Sequence, residues 1–414
     1  MLQRAAILVL LVCAVPAAAQ LFPAQVPDVV RGAVRGVTDT VRAASELPSA
    51  VTALAQDRLD RIATLLRDHR GEIALDDHGD PARAGSVLVS DPDDALVSAA
   101  TRAGFVLADR GDFGGLGIGY AGFEVPRGRS LADGLRAMRK LARGHDVSAD
   151  HLHFASGATA AVATPSVPIA PANAAGAIGM IDGGVGGGEA GGDGRVEQRG
   201  FAIGAPSPGN HGSAVASLLI GGSGISGAAA GARLYVADVF GTDPAGGNAL
   251  AIAKALAWLS GEHVPVTVIS LIGPANPLLA RVVQAVQARG MIVVAAVGND
   301  GPAAPPSYPA SYPGVIAVTG VDRRGRVLIE AGHALHLDYA APGADMLAAD
   351  VRGRAVAVRG TSFAAPLAAA RLSRFAAGGR AAALRAADGE ARKAGPASRY
   401  GRGILCEGCR TTAK

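Results

Sequence analysis

A chain of 414 residues has room for two or three compact domains. Its formal net charge of +4 is small for that length, and no basic block is interleaved with aromatics, which argues against nucleic-acid binding. Alanine and glycine dominate and the basic residues are nearly all arginine, with lysine only at Lys140, Lys254, Lys393 and Lys414, a bias of genome composition rather than of function.

The N-terminus carries an export signal. Arg4 precedes an apolar run over residues 5–15, and Ala17-Ala-Ala19-Gln20 offers a small-residue cleavage site, so residues 1–19 read as a secretory signal peptide too short to span a bilayer. The remaining sequence has no long apolar stretch, so the mature chain is expected without a transmembrane segment, in a periplasm or outside the cell. Cys13 falls within the signal; Cys406 and Cys409 then read as a small disulfide loop in an oxidising compartment. A zinc site there needs two further ligands, and a redox motif needs a thioredoxin-like context that is missing.

Residues 20–70 form an arm of two amphipathic helices split at Pro48, either a docking element or a cap on the next domain. Val30, Val34, Val37 and Val41 recur at helical spacing in the first, and Val51, Leu54, Ile62, Leu65 and Leu66 in the second. Residues 71–154 follow the order β-α-β-β-α-β, with strands near 86–89, 105–108, 117–125 and 151–154. Helices fall near 93–103 and 130–142, and Ser130 is the second helix's N-cap. This is a ferredoxin-like α+β grammar. Residues 155–176, uncharged and rich in Ala, Pro, Thr and Ser, read as a linker. From 177 to 378 apolar strands at 177–181, 234–239, 266–271, 291–297 and 315–321 alternate with helices at 211–219, 249–259, 277–289 and 361–375. That pattern predicts a mostly parallel sheet with helices on both faces, where function collects at the carboxyl ends of strands. Residues 379–414 are a C-terminal tail, helical at first.

Three short stretches carry the chemistry: Ile-Gly-Met-Ile-Asp182-Gly-Gly-Val, His211-Gly-Ser-Ala-Val-Ala-Ser and Gly360-Thr-Ser362-Phe-Ala-Ala-Pro366. A serine hydroxyl becomes a nucleophile when a histidine takes its proton and a carboxylate holds that histidine in the right tautomer. These stretches resemble those of the subtilisin-like serine proteases (subtilases), which share the order Asp…His…Ser. Ala295-Ala-Val-Gly-Asn299-Asp resembles the family's oxyanion-hole segment, and Val268-Ile-Ser-Leu-Ile-Gly273-Pro its substrate strand.

The resemblance implies a subtilisin-like α/β domain preceded by a propeptide-like inhibitor, and an exported endopeptidase made as a self-inhibited, self-processing zymogen. Its partners are then a polypeptide substrate and its own propeptide, with maturation cleavage in the linker. Ser362 attacks, His211 shuttles the proton, Asp182 orients His211 and Asn299 donates to the oxyanion. Ser270, Leu271, Ile272, Gly273, Ala296, Val297 and Gly298 bind substrate. No cofactor or metal is implied, since Glu189 and Asp193 alone do not make a calcium loop.

The chain departs from the family at Gly183, Ser213 and Ala214. Ile272, where glycine is common, favours a small residue on the acyl side of the cut, whereas Asp300 favours a basic one. Gly186-Gly-Gly188-Glu-Ala-Gly191 matches a dinucleotide-loop spacing but reads as a surface loop. A subtilase fold retained as a binding module is the rival reading. An α/β-hydrolase fails on chain order and on the lack of a G-x-S-x-G elbow.

Overall fold

The structure, a computed structural model, describes residues 49–155, 157–161, 176–186 and 194–411. The export signal, the first arm helix, linker residues 162–175 and the glycine loop at 187–193 lie outside the described residues.

Helix α1 (Ser49–Asp68) is the second of the two arm helices. A five-stranded sheet follows, of β1 (Ile73–Leu75), β2 (Pro81–Ser90), β3 (Val106–Asp112), β4 (Gly119–Glu124) and β5 (Val147–His151). Helix α2 (Asp94–Arg102) follows β2 and α3 (Leu131–Leu141) follows β4. Their caps are side chains: Asp93 accepts from the Leu96 N–H and Ser130 from the Asp133 N–H. Strands β5 and β4 flank β2, and β3 pairs with β4, all antiparallel. That is the β5-β2-β4-β3 order of a split β-α-β unit. The two-residue period of β2 sends Val87 and Val89 into a core with Phe123, Leu135 and Met138. Leu88, between them, faces the other side.

Strands β6 (Phe154–Ala155) and β7 (Ala158–Ala161) lead toward the second body. Its elements in chain order are β8 (Ala177–Asp182), β9 (Val196–Gly200), α4 (Asn210–Ile220), β10 (Arg233–Asp238), α5 (Ala249–Gly261), β11 (Val266–Ile269), β12 (Leu271–Ile272) and α6 (Pro277–Ala288). Then come β13 (Ile292–Ala296), β14 (Ile316–Val321), β15 (Tyr339–Pro342), β16 (Met346–Ala349), β17 (Ala355–Arg359), α7 (Thr361–Ser373), α8 (Gly379–Glu390) and α9 (Ala397–Tyr400).

Seven of these strands form one sheet in the order β15-β14-β13-β11-β8-β10-β9, every pair parallel. Helices α4 and α7 bury Val215, Leu218, Phe363 and Leu367 against one face, and α5 and α6 bury Ile252, Leu256, Leu279 and Val282 against the other. Leu88, Phe113 and Tyr120 of the first sheet join that second cluster, so the first sheet sits on α5 and α6. Strand order reverses at β8, a topological switch point where α/β sheets open a crevice. Asp182 ends that strand.

Two expectations need correction. The strand at 151–154 is two separate pieces: β5 ends at His151, the Leu152 N–H bonds to the Pro81 carbonyl, and Phe154 already belongs to another ladder. The linker does not begin at 155. Strand β6 pairs antiparallel with β12, and β7 pairs antiparallel with β17. Small residues suffice there because ladder bonds come from the backbone. In the tail, Tyr339 bridges to Gly401 and Ala340 to Ile404, which covers the β15 edge, and Cys406 is disulfide-bonded to Cys409.

Candidate functional site

Asp182 is fully buried at the end of β8. The Gly183 N–H donates to its Oδ1 at 2.7 Å, and His211 Nδ1 lies 2.9 and 3.0 Å from its two oxygens. This fixes the imidazole with Nδ1 as donor and Nε2 facing away from Asp182. His211 is the second residue of α4, and glycine is required after it, because a Cβ on Gly212 would run into the Gly183 carbonyl. Of the departures from the family pattern, Ser213 has a local role, its Oγ accepting from the Gly186 N–H.

Ser362 opens α7, where early N–H groups have no intrahelical acceptor. Its Oγ donates to the Ser270 carbonyl at 3.1 Å, and the Ser270 Oγ donates back to the Ser362 carbonyl at 3.0 Å. The His211 ring lies beside the next residue, Phe363, with centroids 5.4 Å apart. Asn299 approaches from the loop after β13. Its Oδ1 accepts from the Thr361 N–H at 2.9 Å, and the Gly298 N–H donates to Thr361 Oγ1 at 3.0 Å. That bond turns Asn299 Nδ2 inward, where it is buried without a hydrogen-bond partner among the described residues. A buried amide donor left open costs about 1–3 kcal/mol, and an acceptor placed beside Asn299 Nδ2 would recover it.

The strands beside Ser362 hold the N-terminal chain. Leu271 pairs with Ala155 and Ile272 with Phe154; Arg359 pairs with Ala158. Between the two ladders Gly157 packs on the site. A Cβ on Gly360 would lie 2.8 Å from the Gly157 Cα, and one on Gly157 would lie 2.7 Å from Phe363 Cε2. Gly273 is equally pressed, since a Cβ there would meet His153 Cδ2 at 2.6 Å. Ile272 and Gly273 line the cavity beside Asn299, while Leu271 pairs with Ala155 through its backbone and buries its side chain in the core, and Ser270 is bonded to Ser362. Ala296 and Val297 instead point into the two cores of the sheet, and Gly298 packs under Ile272.

Sequence reasoning missed Asn276. It caps α6 through its Oδ1 and the Leu279 N–H, while its Nδ2 reaches the Ala149 carbonyl, Ser148 Oγ and His151 Nδ1. With Nδ1 accepting, His151 Nε2 carries the proton toward Asp76 Oδ2 at 3.0 Å. Asn before Pro at the head of a helical pattern is an N-cap signal, but its second role depends on a distant strand. His153 is fully buried, and burial pulls its pKa down to about 3. Burial pushes the Asp150 carboxyl up to about 6, although it accepts from the Leu250 N–H at the head of α5. Among the described residues no group of three or more His, Cys, Asp or Glu is placed to hold a metal ion, and no helix is long and apolar enough to cross a membrane.

A profile described as the subtilase family matches residues 199–378, which contain His211, Asn299 and Ser362. Residues 199–378 are a subtilase region. Subtilisin BL of Lederbergia lenta is 34% identical over 173 residues, covering 40% of this chain and 64% of that protein. Subtilisin E of Bacillus subtilis is 31% identical over 164 residues, 39% of this chain and 43% of that protein. The chain thus spans less than two thirds of the curated relatives it matches. Fervidolysin from Fervidobacterium pennivorans, described as a keratinolytic enzyme related to subtilisin, superimposes with a TM-score of 0.65 over 79% of this chain and 61% of its own. The epidermin leader peptide processing protease of Staphylococcus aureus gives 0.60 over 78% of this chain and 97% of its own. At 16% and 15% identity these two likenesses concern the subtilase fold alone.

Proposed function

We propose that the protein is an exported serine endopeptidase that cuts peptide bonds through Asp182, His211 and Ser362, and that it is made as a zymogen that cuts itself. In this reading Ser362 attacks the scissile carbonyl after passing its proton to His211, whose charged form Asp182 stabilises. The tetrahedral oxyanion takes hydrogen bonds from Asn299 Nδ2 and the Ser362 N–H. His211 then returns the proton to the leaving amine, and water releases the acyl group from Ser362. Residues 71–154 act as the chain's own inhibitor.

One observation carries the zymogen reading. The β6–β12 and β7–β17 ladders hold Phe154–Ala155 and Ala158–Ala161 against the strands beside Ser362, and Gly157 between them packs on Gly360. Ser270 also accepts the Ser362 hydroxyl. We place the cut at the bond before Gly157, the residue that packs on Gly360 and Phe363, and Ser362 has no solvent exposure.

The test is the intact mass of residues 20–414, wild type beside Ser362→Ala. Wild type is expected to split, with Gly157 as the new N-terminus, and Ser362→Ala to stay whole. A wild type that stays whole and turns over no peptide supports a subtilase fold used for binding.

A further inference from the structure

We infer that helix α1 is a second closure of the site, separate from the segment in the groove, and that its arginines occupy the place of a basic substrate side chain on Asp300. This rests on the peptidase reading above.

Arg58 and Arg61 stand one turn apart on α1, so they share a face. Both reach Asp300, Arg58 Nε at 3.3 Å from Oδ2 and the Arg61 guanidinium on Oδ1. Leu54, one turn earlier, packs on Gly301, where a Cβ would lie 3.1 Å from its Cδ1. At the other end Leu65 and Leu66, like Phe154, pack against Ile73, Leu152 and Ala245. The helix therefore bridges the inhibitor-like unit and the loop that carries Asn299.

Asp300 directly follows Asn299, and both line a cavity of about 650 Å³ bordered by Ala155, Gly157 and Ile272. This is the space beside the bond presented for cutting. Three carboxylates face it: Asp80 comes from the inhibitor-like unit, and the two on the other side are balanced differently. Glu330 pairs with Arg359 of β17 at 2.7 Å, within the subtilase region. Asp300, with a side chain 18% exposed, has its ion pairs with α1. When α1 leaves, a half-desolvated carboxylate remains beside Asn299, and a substrate with Arg or Lys before the cut restores the lost charge pairing. The chain's own cut has an uncharged serine, Ser156, at that position. In the zymogen the cations come from α1 instead.

The test uses the full chain as wild type, Asp300→Asn, the double variant Arg58→Glu with Arg61→Glu, and Ser362→Ala. Amide hydrogen exchange reads the closure without any need for activity. Exchange across residues 49–68 is expected to quicken by about tenfold in Asp300→Asn and in the double variant, with β2 unchanged. Turnover of two peptides that differ only in Arg or Ala before the cut reads selection. Wild type is expected to favour Arg by about tenfold in kcat/KM, Asp300→Asn to lose that preference, and the double variant to bind the Arg peptide with a lower KM. Unchanged exchange in both variants overturns the closure; a preference for Ala, or one for Arg that survives Asp300→Asn, overturns the selection. Failure of the peptidase reading looks different: wild type and Ser362→Ala alike cut neither themselves nor either peptide, and the exchange comparison still decides the role of α1.

Discussion

The N-terminal half meets the subtilase region in two ways that differ in kind. In the groove, β6 and β7 are held by short backbone ladders to β12 and β17, with Phe154 the one large residue of the two strands and one demanding position, Gly157. On α5 and α6 the contact is made by side chains: Leu88, Phe113 and Tyr120 join Ile252, Leu256 and Leu279 in one core, and Lys254 pairs with Asp109 at 2.7 Å. Backbone ladders accept many sequences, whereas a packed face accepts few. A single cut ends the continuity of the groove segment and leaves the packed face intact. Inhibition by residues 71–154 is therefore expected to outlast the cut.

The largest effect should come from a change confined to the groove. In Asn299→Ala the oxyanion loses its side-chain donor, and the Thr361 N–H loses its acceptor. Self-cutting should slow by about 10²–10³, the range for loss of such a donor in subtilisin. The first-order rate of appearance of the Gly157 N-terminus measures it, and an unchanged rate removes Asn299 from the mechanism. Thermal stability of the docked first sheet should be unaltered.

The junction beside the packed face, where Asp150 meets the head of α5 and His153 packs on Gly273, should respond to pH instead. His153 ionises near 3 when docked, against an ordinary value of 6.5, so its contribution is complete above 6.5 and is lost as pH falls toward 3. Asp150 ionises near 6 when docked, against 3.8, so its contribution is complete below 3.8 and is lost as pH rises toward 6. Between about pH 4 and 6 the two oppose each other. His151 faces both groups, and Arg83 and Lys254 also act on Asp150. The wild-type complex of the two cut fragments should thus change affinity by less than about tenfold between pH 7 and 5. Asp150→Asn unmasks His153, and affinity should then fall by about tenfold per pH unit below 6. A flat profile for Asp150→Asn, measured by calorimetry, would show that His153 does not ionise on release.

The two contacts also differ in how far they can be read from sequence. The buried parallel strands are legible, because runs such as Val266–Ile269 and Ile292–Ala296 have no polar face to hide. The first sheet is legible through alternation and through the caps Asp93 and Ser130. The groups around Asp182, His211, Asn299 and Ser362 are legible as short motifs, each fixed by glycines that admit close backbone approach. The groove segment is not: the ladders at Ala155 and Ala158 use backbone groups and Gly157 lies between them, so these residues look like a linker. Asp300 posed a different problem. Sequence shows a carboxylate beside Asn299, but not the two arginines that reach it from α1. Asp182 and Asp238 are the clearest case. Each ends a parallel strand, and they are register partners. One holds His211, while the other accepts the N–H groups of Ser207, Phe240 and Gly241 and shapes a turn.

The smallest effect tests whether the ion pairs at the rim of the packed face matter at all. Arg281 of α6 pairs with Asp91, with side chains 35% and 44% exposed, and approaches Asp146 at 4.0 Å. Exposed pairs of this kind are worth about 0–1 kcal/mol, because water screens the charges and both side chains lose freedom. Asp91 would keep its second partner, the Gly119 N–H at 2.6 Å, so Arg281→Ala leaves no buried charge behind. The affinity of the cut fragments should fall by less than about fivefold, and the difference should fade as salt is raised from low to physiological strength. Leu88→Ala on the same face should do much more, since deleting a buried leucine costs about 2–5 kcal/mol. If Arg281→Ala weakened binding as much as Leu88→Ala, the face would be held by charge rather than by packing, and raised salt alone would then weaken the complex.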